Sequence, residues 1–481
     1  MYRKEKTIGK TIAIVALLLI GIFAIPGNVQ GAETIVVDAN GNGDYTTIQA
    51  AIDAAAIGDT IEVWSGTYSE NVVVNKALTI KGNGTDTIIL VNETQGMTVS
   101  NQLVSISGFK FINECSMMNS PNPRSSIYLD YIPYNYGARC QIKDNIFEAT
   151  ESSGYGFGIE FYRDFLYNGN MLLLYGGWAT VSNNTFINHT HSLSTSVSRY
   201  IDIENNTFDN SSYVLISGRE HTFKDNTFIN TNTMLDYRKI RIESYALLFG
   251  SNIDEAINIT VCHNSFGNNT IRTMGTTNLS FYNNTIDGAT NGLIVRGTTG
   301  IEHKTFYAEV YNNTIEGCQK GLYLDEDTSW GWEGDYTPGV QYCTFYNNTF
   351  KDNNYGIYAE PRVENNTFYN NIFLTNSVHA YDDGTNTWNL SEPSGGNYWD
   401  NHTGPDGDTD GFVDDPYIIS GGGEATDYLP LSEKPGEGKI QPRPVPPPPR
   451  KIPEKTKYHK PFNFVVRSPL PKGGGGITSS Q

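Results

Sequence analysis

Charged residues are scarce in this sequence, and basic residues are scarcer than acidic ones. Asp, Glu, Lys and Arg make up 18% of the 481 residues, and 33 basic against 52 acidic side chains give a formal net charge of −19. A surface of this charge repels phosphate groups. The composition therefore argues against a nucleic-acid or anionic-membrane partner.

Cysteine, methionine and histidine are also few, with five, seven and eight residues. No Cys-x-x-Cys pair occurs, which argues against a zinc or dithiol redox motif. An odd number of cysteines leaves at least one thiol free or paired between chains. The spacing allows Cys115 to pair with Cys140 and Cys318 with Cys343, but it does not decide the pairing.

Only one stretch is apolar enough to enter a membrane. It extends from Ile12 to Ile25, follows a basic segment, and ends at Pro26-Gly27 before the small residues Gly31 and Ala32. The run is short for a membrane span, so we interpret residues 1–31 as a cleaved signal peptide rather than an uncleaved anchor. With no second anchor, the mature protein is expected to be secreted, periplasmic or located at the cell surface.

Asn, Thr, Gly and Tyr are abundant, and they are arranged in a repeat. Segments of the type apolar-x-Asn-Asn-Thr-Phe recur, such as DIENNTFDN at 202–210 and TFYNNTFKD at 344–352. Counted from the second Asn, the repeats lie 39, 22, 20, 38, 20, 29, 35 and 18 residues apart, so the unit is near 20 residues with inserted loops. The reference residues are Asn145, Asn184, Asn206, Asn226, Asn264, Asn284, Asn313, Asn348 and Asn366.

Each unit contains short β-type runs and lacks helical periodicity. Apolar residues flank the reference Asn, and a second run such as GLIV at 292–295 or GLYL at 321–324 begins eight residues later. Several short strands joined by sharp corners within one unit predict a coil of a parallel β-helix. Asn tolerates the left-handed backbone of such corners, and amides stacked in successive coils can hydrogen-bond along a column.

Both ends of the repeat array predict caps. DYTTIQAAIDAAAIGD at 44–59 predicts an amphipathic helix that starts at Thr46 or Thr47, buries Ile48 and Ile52, and stops at Gly58. The predicted organisation is a signal peptide at 1–31, an N-terminal cap and first coils at 32–85, β-helix repeats at 86–385, an irregular C-terminal cap at 386–432, and a disordered Pro-rich basic tail at 433–481.

These three features resemble a known family. The opening DYTTIQAAIDAA with GDTIEVWSGTYSENVVVNKALTIKGNG, the Asn-rich coils, and the closing GGNYWDN with DGDTDGFVDDPYII are similar to right-handed β-helix proteins of the pectin-lyase-like superfamily. Within it they resemble NosD-like surface and periplasmic proteins of archaea, over roughly residues 34–431. The resemblance implies an all-β fold, a right-handed parallel β-helix. It does not imply an activity, because the superfamily includes lyases, hydrolases, esterases, epimerases and proteins without demonstrated chemistry.

The resemblance also implies copper handling as one alternative, because NosD proteins are linked to copper-site maturation. The chain has no Met-rich tract, and its nearest candidates are the pair His189 and His191 and the pair Cys262 and His263. A lone His-x-His in a loop is more often incidental than a metal site.

The repeat register predicts one column of charged side chains. Arg296, Asp325 and Glu360 each lie twelve residues after a reference Asn in three successive coils, and Arg238 has the same position in an earlier coil. If the longer gaps are loops outside the coil, the first three stack on the outer face of the second strand, about 5 Å apart at their backbones. The loop after Asp325 adds the aromatic residues Trp330, Trp332 and Tyr336.

This column and loop allow three interpretations. Aromatic faces beside carboxylates and an Arg suit a sugar chain, so Trp330, Trp332, Tyr336 and Arg238 are predicted to bind ligand. Asp325 and Glu360, with Arg296, are candidates for catalysis, because two carboxylates on neighbouring coils can provide the acid and the base or nucleophile of glycoside chemistry. The third interpretation is a surface ion-pair ladder of small energy. The catalytic signatures of the superfamily are not found at matching positions.

The segment DGDTDGFVDD at 406–415 predicts a cation site. Alternating carboxylates that end in Asp-Gly wrap a hard cation such as calcium, although Tyr417 stands where a full EF-hand loop has Glu. A structural calcium ion in the C-terminal cap is therefore expected, and an acidic turn without an ion is the alternative. The predicted ligands are Asp406, Asp408, Asp410, Asp414 and Asp415.

Together these patterns favour one function and leave two alternatives. The first is a secreted or cell-surface β-helix protein that binds polysaccharide or envelope components without catalysis. The alternatives are a polysaccharide lyase or glycoside hydrolase, and a periplasmic copper accessory protein. Fifteen Asn-x-Ser/Thr sequons allow glycosylation, but many coincide with the Asn column, so the fold inflates their number.

Overall fold

The computed structural model describes most of the chain between residues 31 and 436. The chain divides into one compact unit from Met1 to Ile440 and a second from Gln441 to Gln481, and all described residues belong to the first. Nearly all of the predicted signal peptide and of the predicted tail lies outside the described residues. The described ranges are 31–91, 95–101, 103–114, 125–130, 139–150, 157–161, 177–189, 191–195, 198–211, 214–229, 240–243, 245–246, 253–254, 256–298, 305–327 and 339–436.

Three long sheets of parallel strands dominate this unit, and the chain passes through sheets A, B and C in turn. Sheet A contains Thr34–Val37, Thr60–Val63, Thr79–Gly82, Ser105–Ser107, Cys140–Lys143, Gly177–Ser182, Arg199–Glu204, Thr222–Lys224, Ala256–Ile257, Thr260–Cys262, Thr276–Thr277, Ser280–Tyr282, Thr305–Phe306, Glu309–Tyr311, Val340–Gln341, Thr344–Tyr346, Val363–Tyr369 and Thr385–Thr387.

Sheets B and C complete each coil. Sheet B has two sections joined by bridges through Ser265: Gly66–Tyr68, Thr87–Val91, Lys110–Asn113, Ile146–Ala149, Thr185–Ile187, Thr207–Asp209 and Thr227–Ile229, then Thr285–Asp287, Thr314–Glu316, Thr349–Lys351, Ile372–Leu374 and Tyr398–Trp399. Sheet C contains Val72–Val74, Met97–Val99, Ser125–Leu129, Phe157–Phe161, His191–Ser194, Val214–Ile216, Ile240–Glu243, Ile271–Met274, Asn291–Thr298, Lys320–Asp327, Tyr355–Ala359 and Val378–Asp382.

Two short antiparallel pairs and one helix complete the described elements. The pairs join Tyr245–Ala246 with Ile253–Asp254, and Tyr417–Ile418 with Thr426–Asp427. The predicted all-β fold, a parallel β-helix with one short capping helix, is confirmed.

The core consists of apolar side chains stacked from coil to coil. Phe147, Phe186 and Phe208 occupy equivalent positions in sheet B, and their ring centroids lie 4.9 Å apart at each step. This separation matches the spacing of neighbouring strands, so one aromatic ring fills each layer. Burial of such rings in every coil supplies the apolar driving force for the stack.

The second Asn of each repeat lies in a buried hydrogen-bonded column, the main ladder. Each side-chain Nδ2 donates to the Oδ1 of its equivalent in the next coil at 2.9–3.2 Å. Buried amides are costly without partners, and the ladder gives each one a donor and an acceptor. The ladder runs through Asn145, Asn184, Asn206, Asn226, Asn264, Asn284, Asn313, Asn348, Asn371 and Asn397.

The first Asn of the pair makes the corner. Asn183, Asn205 and Asn283 have φ angles of 56°, 56° and 54°, in the left-handed region that Asn tolerates. The prediction that Asn serves both the corner and the column is correct for the pair, and the two tasks are divided between its two members.

The sequence analysis wrongly assigns Asn366 to the same column as the other reference Asn residues. The main ladder passes from Asn348 to Asn371, whereas Asn366 accepts from the backbone N–H of Cys343 and donates to Asn386. The motif at 362–370 is not a corner between sheets A and B, because Val363–Tyr369 is a single strand of sheet A. The corner lies at Asn370, which has a φ angle of 54°.

The main ladder ends on a buried carboxylate. Every amide donates toward the C-terminal end, so the last one, Asn397, needs an acceptor beyond the final coil. Asp427 supplies it: its Oδ2 accepts from Asn397 N at 2.7 Å, from Asn397 Nδ2 at 3.3 Å, and from Trp399 Nε1 at 3.0 Å. Burial raises the pKa of Asp427 to about 6 in spite of these donors.

Two shorter ladders end in the same way. The first runs from Asn366 through Asn386 to the buried Asp382, which also accepts from Trp388 Nε1 at 2.8 Å. The second runs from Asn353 through Asn376 to His379 Nδ1. All three ladders therefore terminate on an acceptor within the C-terminal region.

The N-terminal helix, α1, spans Ile48–Ala54 and starts as predicted. Thr47 is its N-cap and accepts from Ala50 N, while the carboxylate of Glu70 accepts from Ile48 N and Gln49 N. Ile48 and Ile52 are buried, as predicted. The helix ends at Ala54 instead of at Gly58, which lies in the following turn with a φ angle of 94°.

Four cysteines are described, and all four are buried free thiols. Cys318 and Cys343 therefore do not form the disulfide that the sequence spacing allowed. Burial raises the pKa of the Cys140 and Cys343 thiols to about 12 and that of Cys318 to about 11, so these thiols stay protonated. Cys115, the possible partner of Cys140, lies outside the described residues.

Candidate ligand-binding site on sheet C

Four strands of sheet C between residues 291 and 382 carry two outward rows of functional side chains. The first row holds Ile294, Tyr323, Tyr358 and Tyr381, which are register partners in successive coils. The second row begins with Arg296 opposite Asp325. It continues to Glu360 and Asp383, whose backbone N–H groups bond to the carbonyls of Leu324 and Ala359 in the preceding coils.

Glycine at the start of each strand brings these coils together. A Cβ atom on Gly292 would lie 2.5 Å from the carbonyl oxygen of Gly321, and one on Gly321 would lie 2.7 Å from that of Gly356. Such separations are below van der Waals contact, so any side chain here would push the coils apart. The glycines that open the runs GLIV (292–295), GLYL (321–324) and GIYA (356–359) therefore allow the close coil-to-coil spacing of the two rows.

Arg296 and Asp325 form an ion pair, as their column predicted. The Arg296 Nε donates to Asp325 Oδ2 at 2.5 Å. The Asp325 side chain is 5% exposed and that of Arg296 is 24% exposed. The pair is thus more buried than the predicted surface ladder, and a largely desolvated carboxylate with a cationic partner is firmly held.

Glu360 is bound by a neighbouring tyrosine. The Tyr323 hydroxyl donates a short hydrogen bond to Glu360 Oε1. Burial, followed by the hydrogen bond to Glu360, raises the pKa of Tyr323 well above its usual value. Tyr323 therefore stays protonated and acts as a donor at every pH that the protein meets.

Lys320 covers two tyrosine rings beside this pair. Its Nζ lies 3.7 Å from the ring centroid of Tyr323 and 3.8 Å from that of Tyr358, a favourable cation–π geometry. Burial lowers the pKa of Lys320, and the charges of Glu360 and Asp325 partly offset this shift. We call Arg296, Lys320, Tyr323, Asp325 and Glu360 the sheet C cluster.

Further tyrosines extend the cluster toward the C-terminal cap. The rings of Tyr358 and Tyr381 stack with centroids 4.7 Å apart, and Tyr355 packs its edge against both. The Tyr381 hydroxyl donates to Asp383 Oδ2 at 3.0 Å. The result is an outward strip of phenol hydroxyls and carboxylates that continues over three coils, with Arg296 in the coil before them.

The structure does not describe the other residues that the sequence predicts to bind ligand. Trp330, Trp332, Tyr336 and Arg238 lie outside the described residues. Their role in ligand binding stays a prediction, as does catalysis by Arg296, Asp325 and Glu360.

The sequence register missed Lys320, Tyr323, Tyr358, Tyr381 and Asp383. The tyrosines occupy the position ten residues after the ladder Asn, so the same counting would have found them. Asp383 lies twelve residues after Asn371 and was missed because Asn366 was taken as the reference. The hydrogen bond between Tyr323 and Glu360 could not be predicted by counting along the repeat. It joins a residue of the first row to a residue of the second row in the next coil.

The Asp-rich loop of the C-terminal cap brings together three of its five predicted ligands. One carboxylate oxygen each from Asp406, Asp408 and Asp410 lies within 4.8 Å of the others. Asp406 Oδ1 is buried without a hydrogen bond. Asp414 instead accepts from Gly407 N at 3.2 Å. Three converging carboxylates suit a hard cation, and calcium binding stays a prediction.

Asp415, the fifth predicted ligand, is also outside the converging group. Its backbone carbonyl oxygen lies 2.8 Å from His402 Nε2, and its side chain is exposed.

The family comparison places this site within a known sequence pattern. Residues 223–404 match the family model described as "Periplasmic copper-binding protein (NosD)". The predicted NosD resemblance is confirmed over this segment. The NosD segment contains the whole sheet C cluster and ends just before the Asp-rich loop.

A curated protein and several solved structures are also similar to the chain. A cell surface glycoprotein of Methanothermus fervidus is 31% identical over 144 residues, which are 29% of this chain and 22% of the glycoprotein. The chain thus matches less than a quarter of that relative's length. Both descriptions, cell surface and periplasmic, agree with the predicted secreted, periplasmic or cell-surface location. No helix in the described part of the chain is long and apolar enough to cross a bilayer.

The solved structures have much lower identity. The A-module of the Azotobacter vinelandii mannuronan C-5 epimerase AlgE6 is 14% identical, with a TM-score of 0.49 and coverage of 72% of this chain and 92% of that one. The Streptococcus pneumoniae surface protein and adhesin PfbA is 15% identical, with a TM-score of 0.44 and coverage of 71% and 90%. Likeness at this level has no bearing on activity.

Copper, named in the NosD family description, does not fit the described donor groups. The three Asp-rich loop carboxylates form the one group of three or more His, Cys, Asp or Glu ligand atoms among the described residues. Copper prefers sulfur and imidazole ligands. His189 is buried beside Phe186, and Cys262 is buried while His263 is exposed. Neither predicted pair belongs to a group of three or more such ligands among the described residues.

Proposed function

We propose that this protein is a cell-surface or periplasmic β-helix that binds a polysaccharide across the sheet C cluster without converting it. The observation that carries the proposal is the strip of paired phenol, carboxylate and cationic groups at Tyr323, Glu360, Arg296 and Asp325. These groups are pre-positioned by rigid strands, which lowers the entropy cost of binding a sugar chain.

The spacing of the strip suits an extended glycan. Equivalent side chains repeat once per coil, and the Tyr358 and Tyr381 rings are 4.7 Å apart. This distance is comparable to the advance of one sugar ring in an extended chain. A polysaccharide that runs along the β-helix axis would therefore meet the same type of donor and acceptor at each ring.

The same contacts argue for binding rather than catalysis. A general acid or base works best when its pKa lies near the working pH, and Tyr323 is shifted far above it. Asp325 is held by Arg296, and Glu360 accepts from Tyr323. Both carboxylates are therefore engaged by the protein, as expected for positioning groups.

A glycan array with full-length protein tests the proposal. We expect binding to at least one polysaccharide and a loss of about tenfold or more in affinity for Glu360→Gln, because a charge-assisted hydrogen bond is removed. The matched control is Glu316→Gln, a sheet B carboxylate that pairs with Lys351 at 3.3 Å. Equal affinity of the Glu360→Gln variant and the wild type would show that the ligand binds elsewhere.

A turnover assay distinguishes the lyase or hydrolase alternative from binding without conversion. Asp325 and Glu360 lie on successive coils, which is the observation that favours it. The bound polysaccharide is incubated with the protein and its chain length is followed by size-exclusion chromatography. Shortening that stops in Asp325→Asn would establish the enzyme and refute binding without conversion.

A further inference from the structure

A second set of outward side chains lies on sheet A, separate from the sheet C cluster. Tyr282, Tyr311, Tyr346 and Tyr369 are register partners in successive coils. Their ring centroids are 4.8, 4.9 and 5.2 Å apart, with interplanar angles of 6–7°. Because each ring covers the face of its neighbour, the partly exposed Tyr282, Tyr311 and Tyr346 present ring edges and phenol hydroxyls to the solvent, while Tyr369 is buried at the end of the row.

A row of short hydroxyl side chains lies beside these tyrosines. Two residues before each tyrosine stand Ser280, Thr344 and Thr367, but the coil of Tyr311 has Glu309 at this position. Glu309 pairs in register with Ser280 on one side and with Thr344 on the other. A single carboxylate therefore interrupts an otherwise neutral hydroxyl row.

Aromatic residues also border Glu309 on its other side. Tyr307 and Tyr342 form the preceding corners of two successive coils, with φ angles of 57° and 56°. Their rings stack with centroids 5.9 Å apart, and Tyr342 is 41% exposed. We call Glu309, with Ser280, Thr344, Tyr311 and Tyr346, the Glu309 recess.

The carboxylate of Glu309 is half-buried. No hydrogen bond or ion pair reaches its carboxylate in the described part of the chain, and burial raises its pKa. Glu148, another partly buried carboxylate of the coils, is paired with Lys110 at 2.8 Å. A partly desolvated charge without a partner is costly, so a ligand that supplies the opposite charge would be stabilised at Glu309.

We propose that the Glu309 recess binds the primary ammonium group of an amino sugar, carried in a saccharide chain that crosses the coils of sheet A. An ammonium group has three donors. Glu309 provides the anionic acceptor, and the hydroxyls of Ser280 and Thr344 lie one coil away on either side. The net charge of −19 attracts a polycationic chain to the surface.

The strand pairing favours a saccharide over a peptide. An extended peptide binds a sheet through free backbone groups at an edge strand. Glu309–Tyr311 is an interior strand, paired with Ser280–Tyr282 on one side and Thr344–Tyr346 on the other. Only side chains are available to the ligand, and hydroxyls and phenols match the hydroxyls of a sugar.

Calorimetric titration of the full-length protein with glucosamine hexamer, in mildly acidic buffer, tests this proposal. We expect binding by the wild type and a loss of about tenfold or more in Glu309→Gln, because the charged acceptor is removed. The fully N-acetylated hexamer is expected to bind at least about tenfold more weakly, because its amides carry no charge. Glu62→Gln is the matched control, since Glu62 faces outward on sheet A at the N-terminal end, opposite Lys81.

Three results would overturn the proposal. The first is equal affinity of Glu309→Gln and the wild type for the hexamer. The second is absence of hexamer binding. The third is tighter binding of penta-lysine than of the hexamer through Glu309, which would identify a peptide partner. Thermal unfolding of Glu309→Gln checks its fold, and Thr344→Val provides a second variant of the same recess. The sheet C proposal is unaffected by these outcomes, because it concerns another sheet and other variants.

Discussion

Removal of the Asp427 carboxylate tests how the cap closes the main ladder. Asp427 accepts from Asn397 N, Asn397 Nδ2, Trp399 Nε1 and Leu429 N, and it is fully buried. Asp427→Ala leaves Asn397 N, Trp399 Nε1 and Leu429 N without this acceptor, whereas Asn397 Nδ2 still donates to Trp388 O at 2.7 Å. Since each unsatisfied buried donor costs about 1–3 kcal/mol, we expect the free energy of unfolding of the cap to fall by about 3 kcal/mol or more.

The pH dependence of the same residue gives a second, independent measure. Burial raises the pKa of Asp427 from 3.8 in the unfolded chain to about 6. A raised carboxyl pKa means that its stabilising contribution is complete below pH 3.8 and is lost as the pH rises to about 6. The gap corresponds to about 3 kcal/mol. Asp427→Asn has no titrating proton, so it should lack this component while keeping one acceptor oxygen.

Hydrogen exchange and tryptophan fluorescence during urea titration provide the assay. A repeat protein can open at one end without unfolding elsewhere, so exchange must be followed in residues 388–431. The buried Trp388 and Trp399 report on the same region. Asp287→Ala, which removes an exposed carboxylate of sheet B, is the control. The reasoning is refuted if Asp427→Ala exchanges like the wild type, or if Asp427→Asn keeps the full pH dependence.

Three further predictions concern the ladder, the loop and the thiols. Asn284→Ala removes the acceptor of Asn264 and the donor to Val261 O. We expect the free energy of unfolding, measured by urea titration, to fall by about 3 kcal/mol. The control Asn283→Asp should lower this free energy much less. Chelation of calcium should lower the unfolding temperature of the wild type but not that of Asp408→Asn; equal shifts would place any calcium elsewhere. Iodoacetamide at neutral pH should leave Cys140 unmodified in the folded protein and label it in urea, as read by mass spectrometry of peptides; rapid labelling without urea would contradict its burial.

The coil architecture was predictable because one chemical constraint repeats. Each corner needs a left-handed residue and each buried amide needs a partner, so the Asn pair marks the coil in the sequence itself. The placement of Arg296 opposite Asp325 followed from this counting alone. Register errors arise where the constraint is met twice in one coil. The Asn-Asn-Thr-Phe motif at 365–368 fits the pattern, yet Asn366 belongs to a shorter ladder within sheet A, where it accepts from Cys343 N and donates to Asn386.

The finer features of both surfaces were not predictable for a different reason. Outward side chains are under no repeating constraint, so their partners depend on rotamers and diagonal contacts. Two examples are the Tyr323–Glu360 hydrogen bond and Glu309, whose carboxylate has no hydrogen bond or ion pair to any residue that the structure describes. Composition and spacing treat both carboxylates alike. Burial of Asp325 beside Arg296 was likewise hidden, because the alternation of strand residues predicts direction but not depth.

The one-way direction of the Asn ladders has a consequence for how such chains change length. An inner coil both receives and passes on a hydrogen bond, so a coil can be duplicated or deleted there without altering the chemistry of its neighbours. The last coil has no such freedom, because whatever follows it must accept the last N–H of the ladder. Asp427, Asp382 and His379 meet this requirement. Variation in coil number is therefore expected in the interior of the array, while the C-terminal terminator moves as a fixed unit.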